Sequence, residues 1–116
     1  MTDTTPALSR WQVWIAYLPF ADSPKKGKAR PVLLLDKLQN GTLMVLKITS
    51  KDIRGAYSGI KIPEGSEKLE LKKESYIQIE PVFNIAISNL SNVYLGTLSK
   101  DLQAEVTKLL FGSANN

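Results

Sequence analysis

Hydrophobic residues fill the first well-patterned segment of the chain, residues 11–18, with Gln12 the only polar residue. Successive side chains of a strand point in opposite directions, so four apolar side chains fall on one face of this segment and three on the other. Because both faces are apolar, both must be covered in the folded protein. A C-terminal helix or a second subunit would provide the second cover.

A second apolar segment begins at an Arg-Pro pair. Pro31 lacks a backbone N–H and disfavours helix at the residue before it, so the pair predicts a strand over residues 30–36. The apolar residues after it leave no polar face, which is typical of a strand covered on both sides. Asn40 and Gly41 form the strongest short hairpin pattern, and residues 42–48 return as another nearly apolar strand.

Weaker strand patterns fill the second half of the chain. Residues 58–62 predict a short strand, residues 64–67 a loop, and residues 68–72 either a short strand or the end of that loop. In residues 75–80 the two isoleucines point to one face, and the tyrosine, glutamine and glutamate share the other, open face. The alternation continues over residues 83–87, and residues 93–98 form a last predicted strand after a turn at 89–92.

One helix is predicted at the C-terminus. Ser99 is a favourable N-cap, Asp101 lies in the first turn, Lys108 lies near the end, and Gly112 is expected to follow the last helical residue. The apolar residues have the spacing of a helix packed on one face. They are Leu102, Val106, Leu109 and Leu110.

These elements predict a mainly β protein, with about seven short strands and a C-terminal helix. A small, strongly curved antiparallel sheet or barrel suits them, because barrel closure removes exposed strand edges. Residues 1–10 offer little to bury and are predicted to be a flexible N-terminal arm. Residues 11–112 are predicted to form a single domain.

The composition narrows the possible chemistry. The chain has 116 residues, of which 43% are hydrophobic, with no cysteine and no histidine. Any catalysis must therefore use carboxylate, hydroxyl, lysine or arginine groups. A formal charge of +4 and a pI near 9.4 mildly favour a polyanionic partner. No signal-peptide pattern and no apolar stretch of the ~20 residues that a bilayer requires are present, so we expect a cytoplasmic protein.

A basic segment precedes Arg30. Residues 20–29 contain three lysines together with Asp, Ser, Pro and Gly, and this composition predicts an exposed loop. The loop is either a solvated, charged turn or part of a phosphate-binding site. Arg30, at the rim of a rigid strand, is suited to gripping phosphate oxygens. Thr49 and Ser50 end another strand, where such hydroxyls commonly satisfy nearby backbone groups.

Several segments match a known pattern in order and spacing. They are the aromatic first strand over residues 11–20, the charged loop, Lys28-Ala29-Arg30-Pro31 with the apolar residues after it, and Ile48-Thr49-Ser50. Together they resemble the MazF/PemK family of type II toxin–antitoxin toxins. Residues 71–77 and 95–99, the latter before the helix, resemble one branch of that family. The resemblance runs from Trp11 to Phe111.

The resemblance implies an SH3-like barrel with a C-terminal helix that forms a homodimer. It implies cleavage of single-stranded RNA at short sequences without a metal or other cofactor. It also implies an antitoxin that lays a flexible, largely acidic tail across the RNA groove. Many members begin the first strand with Gly-Asp, where this chain has Trp11 and Gln12, and some use a histidine in the first loop, which is absent here.

The resemblance also implies roles for particular residues. Arg30 matches the family's catalytic arginine, and Thr49 matches its strand-end hydroxyl residue. Glu80 falls near a position where several members carry an aspartate, and Gln78 falls where one branch carries a second basic residue.

We interpret these residues as a ribonuclease site. Arg30 would clamp the scissile phosphate, Thr49 would donate a hydrogen bond to it, and Glu80 is the candidate general base. The donor of a proton to the leaving 5′-oxygen is not evident, Arg30 and water both being open. The candidate RNA-binding residues are Lys25, Lys26, Lys28, Ser50, Gln78 and Tyr76, and no metal ligand is expected.

Two other functions are compatible with the sequence. A catalytically weakened barrel would bind nucleic acid or an antitoxin-like peptide; the missing histidine favours it, whereas Arg30 and Thr49 oppose it. An unrelated SH3-like adaptor would bind peptides in an aromatic groove, and it would give Arg30 no role.

Overall fold

The strands form one antiparallel sheet. The computed structural model describes residues 7–20, 23–55, 58–62, 71 and 74–111, with the backbone alone described at 19, 20 and 23–26. Within these ranges the sheet order is β4-β5-β3-β2-β1-β6. The fold class, mainly β with a C-terminal helix, is confirmed. The elements are β1 (Gln12–Phe20), β2 (Ser23–Lys37), β3 (Thr42–Thr49), β4 (Gly59–Ile62), β5 (Ser75–Ala86), β6 (Leu90–Thr97) and α1 (Lys100–Phe111).

The sheet curls around one buried cluster. Ile60 and Ile62 of the edge strand β4 belong to the same cluster as Val13 of β1, although β5, β3 and β2 lie between the two strands. The cluster runs through residues of β5, β3 and β2, and α1 contacts β4 and β5, so the sheet and the helix enclose one core in the predicted SH3-like arrangement. Val106 of α1 is fully buried in this cluster, so the helix packs against the same core.

The other face of the central strands is also apolar and buried. Ala16 and Leu18 of β1 lie in a second cluster with residues of β2, β3 and β5. Leu8, Phe83, Ile87 and Leu90 pack against it, so the N-terminal segment and the β5–β6 region cover this face. The prediction that both faces of β1 are covered is therefore confirmed only in part, because Val13 is buried on the other face but Tyr17, on that same face, is 42% exposed.

The predicted loop over residues 20–29 is wrong. β2 begins at Ser23, and its first half pairs with β1, with Lys28 opposite Leu18 and Gly27 opposite Pro19. A polar composition is tolerated in this hairpin because its side chains reach solvent, as those of Lys28 and Ala29 do. The connection between β1 and β2 is residues 21–22, which lie outside the described ranges.

The hairpin between β2 and β3 is confirmed. Gly41 has a φ of 84°, a conformation that glycine adopts without steric cost, and its N–H donates to the carbonyl of Leu38. The Asn40 side chain accepts hydrogen bonds from the backbone N–H and the hydroxyl of Thr42. The turn residues therefore set the register next to the turn, and a bulge between Leu34 and Asp36 shifts it for the rest of the ladder.

Strand ends in the second half differ from the predictions. β4 agrees with the predicted strand, whereas the predicted elements over residues 64–70 and 72 lie outside the described ranges. β5 continues to Ala86, and Ile87–Asn89 forms a 3-10 turn in place of the predicted turn at 89–92. β6 therefore begins at Leu90, three residues earlier than predicted.

β5 contains a long bulge, residues 79–82. Its register with β3 changes from Gln78 opposite Lys47 to Phe83 opposite Val45. Residues 79–82, which include the cis Glu80–Pro81 peptide, therefore face one residue of β3. The bulge separates Glu80 from the regular ladder on either side.

The helix is capped and packed largely as predicted. The hydroxyl oxygen of Ser99 accepts a hydrogen bond from the Leu102 N–H at 3.3 Å, and Asp101 lies in the first turn. Val106 is buried, and Leu102 and Leu110 pack on the core. Leu109 does not follow this pattern, because it is 45% exposed. Gly112 lies outside the described residues.

The N-terminal segment is tied to the sheet through Gln12. Its side-chain oxygen accepts hydrogen bonds from the Ser9 N–H and from the Trp14 indole, both at 2.9 Å. Its amide donates to the carbonyl of Ala7 at 2.8 Å. Residues 7–9 of the predicted arm therefore contact β1, while residues 1–6 lie outside the described ranges. No helix in the described part of the chain is long and apolar enough to cross a membrane.

Candidate functional site

β2 and β3 separate at one end of their ladder and leave a cleft. Their pairing extends to Val32 opposite Lys47. Beyond it, Arg30 pairs with Ala16 on β1, whereas Thr49 pairs with Tyr76 on β5. The resulting cleft has a volume of about 300 Å³. Its lining residues are Lys28, Ala29, Arg30, Pro31, Ile48, Thr49, Ser50, Leu71 and Ser75.

Arg30 lies in the middle of β2, not at the beginning of a strand after a loop. The correction follows from the longer β1–β2 hairpin, whose ladder holds Arg30 on one side through Ala16. Its side chain is half-buried. Within the described ranges it forms no ion pair, so its charge is free to bind an anion in the cleft.

Thr49 is held in place by the backbone that follows it. Its hydroxyl oxygen accepts a hydrogen bond from the Lys51 N–H at 3.2 Å, as the common role of strand-end hydroxyls predicts. Because the oxygen is the acceptor in this bond, the hydroxyl hydrogen remains available to donate. Ser50 is exposed beside it.

Lys47 is a second cation on this part of the sheet. Positions opposite one another in a ladder share a face, so Lys47 lies on the same face as Val32 and, two residues along β2, Arg30. Burial, and then the nearby charge of Arg30, lower the pKa of Lys47. Two like charges without a carboxylate between them favour a bound anion.

The cleft has a cationic lining. Lys28, Arg30 and the neighbouring Lys47 carry positive charge, and no carboxylate is among the lining residues that the structure describes. Two exposed acidic side chains elsewhere in the described ranges are paired in salt bridges, Asp52 with Arg54 and Glu74 with Lys61. The local potential therefore favours a polyanion.

The described part of the connection between β3 and β4 contains one ion pair. Arg54 donates to both carboxylate oxygens of Asp52, at 3.0 and 2.8 Å, and these bonds lower the pKa of Asp52 to about 2. The guanidinium also lies over the Tyr76 ring, 5.1 Å from its centroid. Tyr76, which is 7% exposed, is therefore covered by Arg54.

Gln78 and Glu80 do not line the cleft. Gln78 is buried, and its amide donates to the Glu80 carbonyl across the bulge at 2.8 Å. Glu80 is exposed and lies four residues beyond Tyr76, the partner of Thr49, or about 13 Å along an extended strand. Cleft and bulge are therefore separate parts of the surface.

Two of the candidate RNA-binding residues have no described side chain, because the side chains of Lys25 and Lys26 lie outside the described part of β2. The aromatic residue Trp14 is 2% exposed and packs against Tyr94 with ring centroids 5.2 Å apart. Its role in this structure is core packing. In the described ranges, no group of three or more acidic side chains is placed to hold a metal ion.

Sequence reasoning missed Lys47 and Arg54. Lys47 is the single charged residue of β3, and it precedes Thr49 by two positions, which places both on one face. That spacing could have identified Lys47 from the sequence. No sequence pattern identifies Arg54, because its position over Tyr76 depends on the Asp52 contact in a connection between strands.

Comparison with known proteins decides the family. A sequence model of the PemK-like, MazF-like toxins of type II toxin–antitoxin systems matches residues 9–111. The chain belongs to this family. Among solved structures, the Mycobacterium tuberculosis toxin MazF-mt6 superimposes with a TM-score of 0.66 and 21% sequence identity, over 85% of this chain and 91% of that one. This likeness is one of fold. A search of curated protein sequences gave no match.

This MazF-like chain departs from the family's usual Gly-Asp at the first strand, and the structure gives the consequence. Trp11 has a φ of 77°, in the left-handed region that favours glycine, and its N–H donates to the Leu34 carbonyl at 2.8 Å. Gln12 uses its side chain for structural hydrogen bonds. Both residues precede Ala16, the partner of Arg30, by four or more positions. The departure is therefore outside the cleft.

Proposed function

We propose that this MazF-like toxin is a metal-independent endoribonuclease that cleaves single-stranded mRNA at short sequences and so inhibits translation and growth. The observation that carries the proposal is the cleft between β2 and β3, which brings Arg30 and Thr49 together with Lys28 and has no carboxylate among its described lining residues. A phosphodiester fits such a site because its charge is matched by Arg30 and its oxygens accept hydrogen bonds. The target RNA and the protein would meet in the cytoplasm.

The proposed reaction begins with the scissile phosphate between Arg30 and Thr49. The 2′-oxygen attacks phosphorus and the bond to the 5′-oxygen breaks, giving a 2′,3′-cyclic phosphate and a 5′-hydroxyl. Arg30 stabilises the charge that develops on the phosphorane, and the Thr49 hydroxyl donates to the same group. Because Glu80 lies outside the cleft, we assign acceptance of the 2′-hydroxyl proton to water.

A non-catalytic function remains the second candidate. The absence of histidine from the chain and of a carboxylate from the cleft lining favours a barrel that binds nucleic acid or an antitoxin-like peptide. Both functions use the same cationic surface. They differ in whether bound RNA is cut.

The decisive experiment incubates the purified protein with a long RNA in excess EDTA. Wild type is expected to cut the RNA and leave 2′,3′-cyclic phosphate ends, and Arg30→Ala is expected to lose this activity. Lys37→Ala is the matched control, because Lys37 is an exposed cation at the far end of β2. It should cut as wild type does.

Three other outcomes would contradict the proposal. Loss of cutting in EDTA would show that the reaction requires a metal. Equal cutting by wild type and Arg30→Ala would show that Arg30 does not contribute to cleavage. RNA binding without cutting by any variant would establish the binding function instead.

We also propose a homodimer, formed through the surface beside α1. Phe111 is 72% exposed and Val82 is 40% exposed, and both line an apolar cavity of about 360 Å³ with Trp11 and Met44. Contiguous exposed apolar surface of this kind commonly marks a protein interface. A cognate antitoxin, encoded alongside the toxin, would be the second protein partner, and its acidic segment would compete with RNA for the cationic cleft.

Light scattering after gel filtration tests the dimer. Wild type should have twice the mass of one chain, and Phe111→Ser should shift it to the monomer. Val93→Ser is the control, because Val93 is an apolar residue of β6, 46% exposed, that is not part of the cavity. A monomeric wild type, or a dimer that survives Phe111→Ser, would exclude this interface.

A further inference from the structure

Lys47 is a cation for which the proposed reaction has no role. It is half-buried in β3, with Val32 of β2 opposite it on one side and Gln78 of β5 on the other. Gln78 carries no charge that could neutralise the lysine, and its amide donates to the Glu80 carbonyl. Within the described ranges Lys47 has no ion-pair partner.

Its position relative to the cleft is set by the ladder. By register Arg30 is the diagonal neighbour of Lys47, two residues past Val32 on β2, where the two strands separate, and its charge is close enough to lower the pKa of Lys47. Thr49 is two residues along the same strand, about 7 Å away on the same face. A phosphate bound by Arg30 and Thr49 would therefore lie within reach of the long Lys47 side chain.

We propose that Lys47 is the catalytic acid of this site and gives a proton to the 5′-oxygen as it leaves. The inference rests on the proposed ribonuclease function. The 2′-oxygen to phosphorus bond forms while the phosphorus to 5′-oxygen bond breaks, and the 2′-hydroxyl proton passes to water. One proton moves from the Lys47 ammonium to the 5′-oxygen, and the neutral amine then regains a proton from solvent.

Lysine suits this step better than arginine. A guanidinium keeps its proton throughout the accessible pH range, so Arg30 is a good clamp and a poor proton donor. Burial and the nearby Arg30 charge lower the pKa of Lys47, which brings its acidity closer to the working pH. The two cations then have different roles: Arg30 stabilises the charge on the phosphorane, and Lys47 transfers a proton.

The test replaces the leaving oxygen by sulfur. The cleavage site is first mapped on a long RNA, and two short RNAs spanning it are made, one natural and one with sulfur in place of the 5′-oxygen of the scissile phosphate. A thiolate leaves without protonation, so a general acid is not needed for the second RNA. Wild type, Lys47→Met and Arg30→Ala are compared on both RNAs in single-turnover reactions.

A catalytic acid predicts a specific pattern. Lys47→Met should cut the natural RNA about 10²–10⁴-fold more slowly than wild type but should cut the sulfur RNA within about threefold of wild type. Arg30→Ala should be slow on both RNAs, because its role does not depend on the leaving group. Lys37→Met, the control for removing an exposed lysine from the neighbouring strand β2, should match wild type. Circular dichroism verifies that each variant is folded.

Each alternative result overturns the assignment. Wild-type cutting of natural RNA by Lys47→Met would show that no proton comes from Lys47. Equal slowing on both RNAs would give Lys47 a binding or positioning role. Full activity of Lys47→Arg would show that positive charge alone suffices. If wild type cuts neither RNA, the ribonuclease proposal itself fails, and the role of Lys47 with it.

Discussion

Lys47 and Arg30 carry like charges on one face of the sheet, at diagonal positions of the β2–β3 ladder. The pairing of Val32 with Lys47 fixes this arrangement, and β2 and β3 separate immediately beyond it. A protein that only needed stability would gain from a carboxylate or an apolar residue at either position. The pair is instead open to an anion from outside the chain.

The first prediction concerns the pH dependence of RNA cleavage. The charged or titratable groups described near Lys47 are Arg30 on β2 and Tyr76 on β5, which is diagonal to Lys47 across the β3–β5 ladder, whereas Glu80 lies on the bulge beyond that ladder. The lowered pKa of Lys47 is caused first by burial and then by Arg30. The active form of an acid is protonated, so kcat/KM should be level at low pH and fall above a pKa that lies below 10.5.

Initial cleavage rates across an alkaline pH series measure the alkaline limb, the fall in activity at high pH. A bound phosphate stabilises the Lys47 ammonium, so the alkaline limb of kcat should lie at higher pH than that of kcat/KM. Lys47→Met should lack both limbs. A limb of unchanged position in this variant would belong to another group.

The second prediction concerns the salt dependence of RNA binding. Lys28 is exposed on the cleft lining and would contact one phosphate. Each neutralised phosphate of a single strand contributes about 0.7 to the slope of log K against log salt, so Lys28→Ala should reduce that slope by about 0.7. Fluorescence anisotropy with a 2′-O-methyl RNA, which is not cut, gives the slope. Lys37→Ala should leave it unchanged, and an unchanged slope in Lys28→Ala would place the RNA elsewhere.

The sequence predicted the strands whose apolar residues form the core better than the segment whose conformation depends on a partner strand. The strands over 30–36 and 42–48 were predictable because their apolar residues have only one stable location, the core. The first half of β2 was not, because pairing with β1 outweighs its loop-like composition, as at Gly27 and Lys28. Local composition carries no information about a partner strand.

The site was predictable to the same extent. Arg30 and Thr49 line the same cleft, which the resemblance to the family implied and the strand patterns alone did not fix. The separation of Glu80 from them was not predictable, because it results from the bulge at residues 79–82, where the register against β3 changes. A register shift depends on both strands, so one strand's alternation does not reveal it.

The third prediction tests Glu80 directly. A general base contributes about 10²–10⁴-fold to a rate. Because Glu80 lies on the bulge and outside the cleft, Glu80→Gln should cut RNA within about threefold of wild type. Single-turnover cleavage of a short RNA measures the rate. A loss of about 10²-fold without a change in RNA affinity would restore Glu80 as the base.

The fourth prediction concerns stability away from the cleft. Gln12 is 6% exposed and its side chain satisfies the Trp14 indole N–H, the Ser9 N–H and the Ala7 carbonyl. Gln12→Met keeps the side-chain length but leaves the buried indole N–H without an acceptor. The free energy of unfolding should fall by about 1–3 kcal/mol, the cost of one buried unsatisfied polar group.

Urea unfolding followed by circular dichroism, at one fixed protein concentration, measures the loss from Gln12→Met. Gln39→Met is the matched control, because Gln39 is exposed in the β2–β3 turn, and its effect should stay within about 0.5 kcal/mol. Folded Gln12→Met should still cut RNA at the wild-type rate, since Gln12 precedes the Arg30 partner Ala16 by four residues. A folded variant that is stable but inactive would link the first strand to the cleft, and would give the family's Gly-Asp position a role in cleavage rather than in folding.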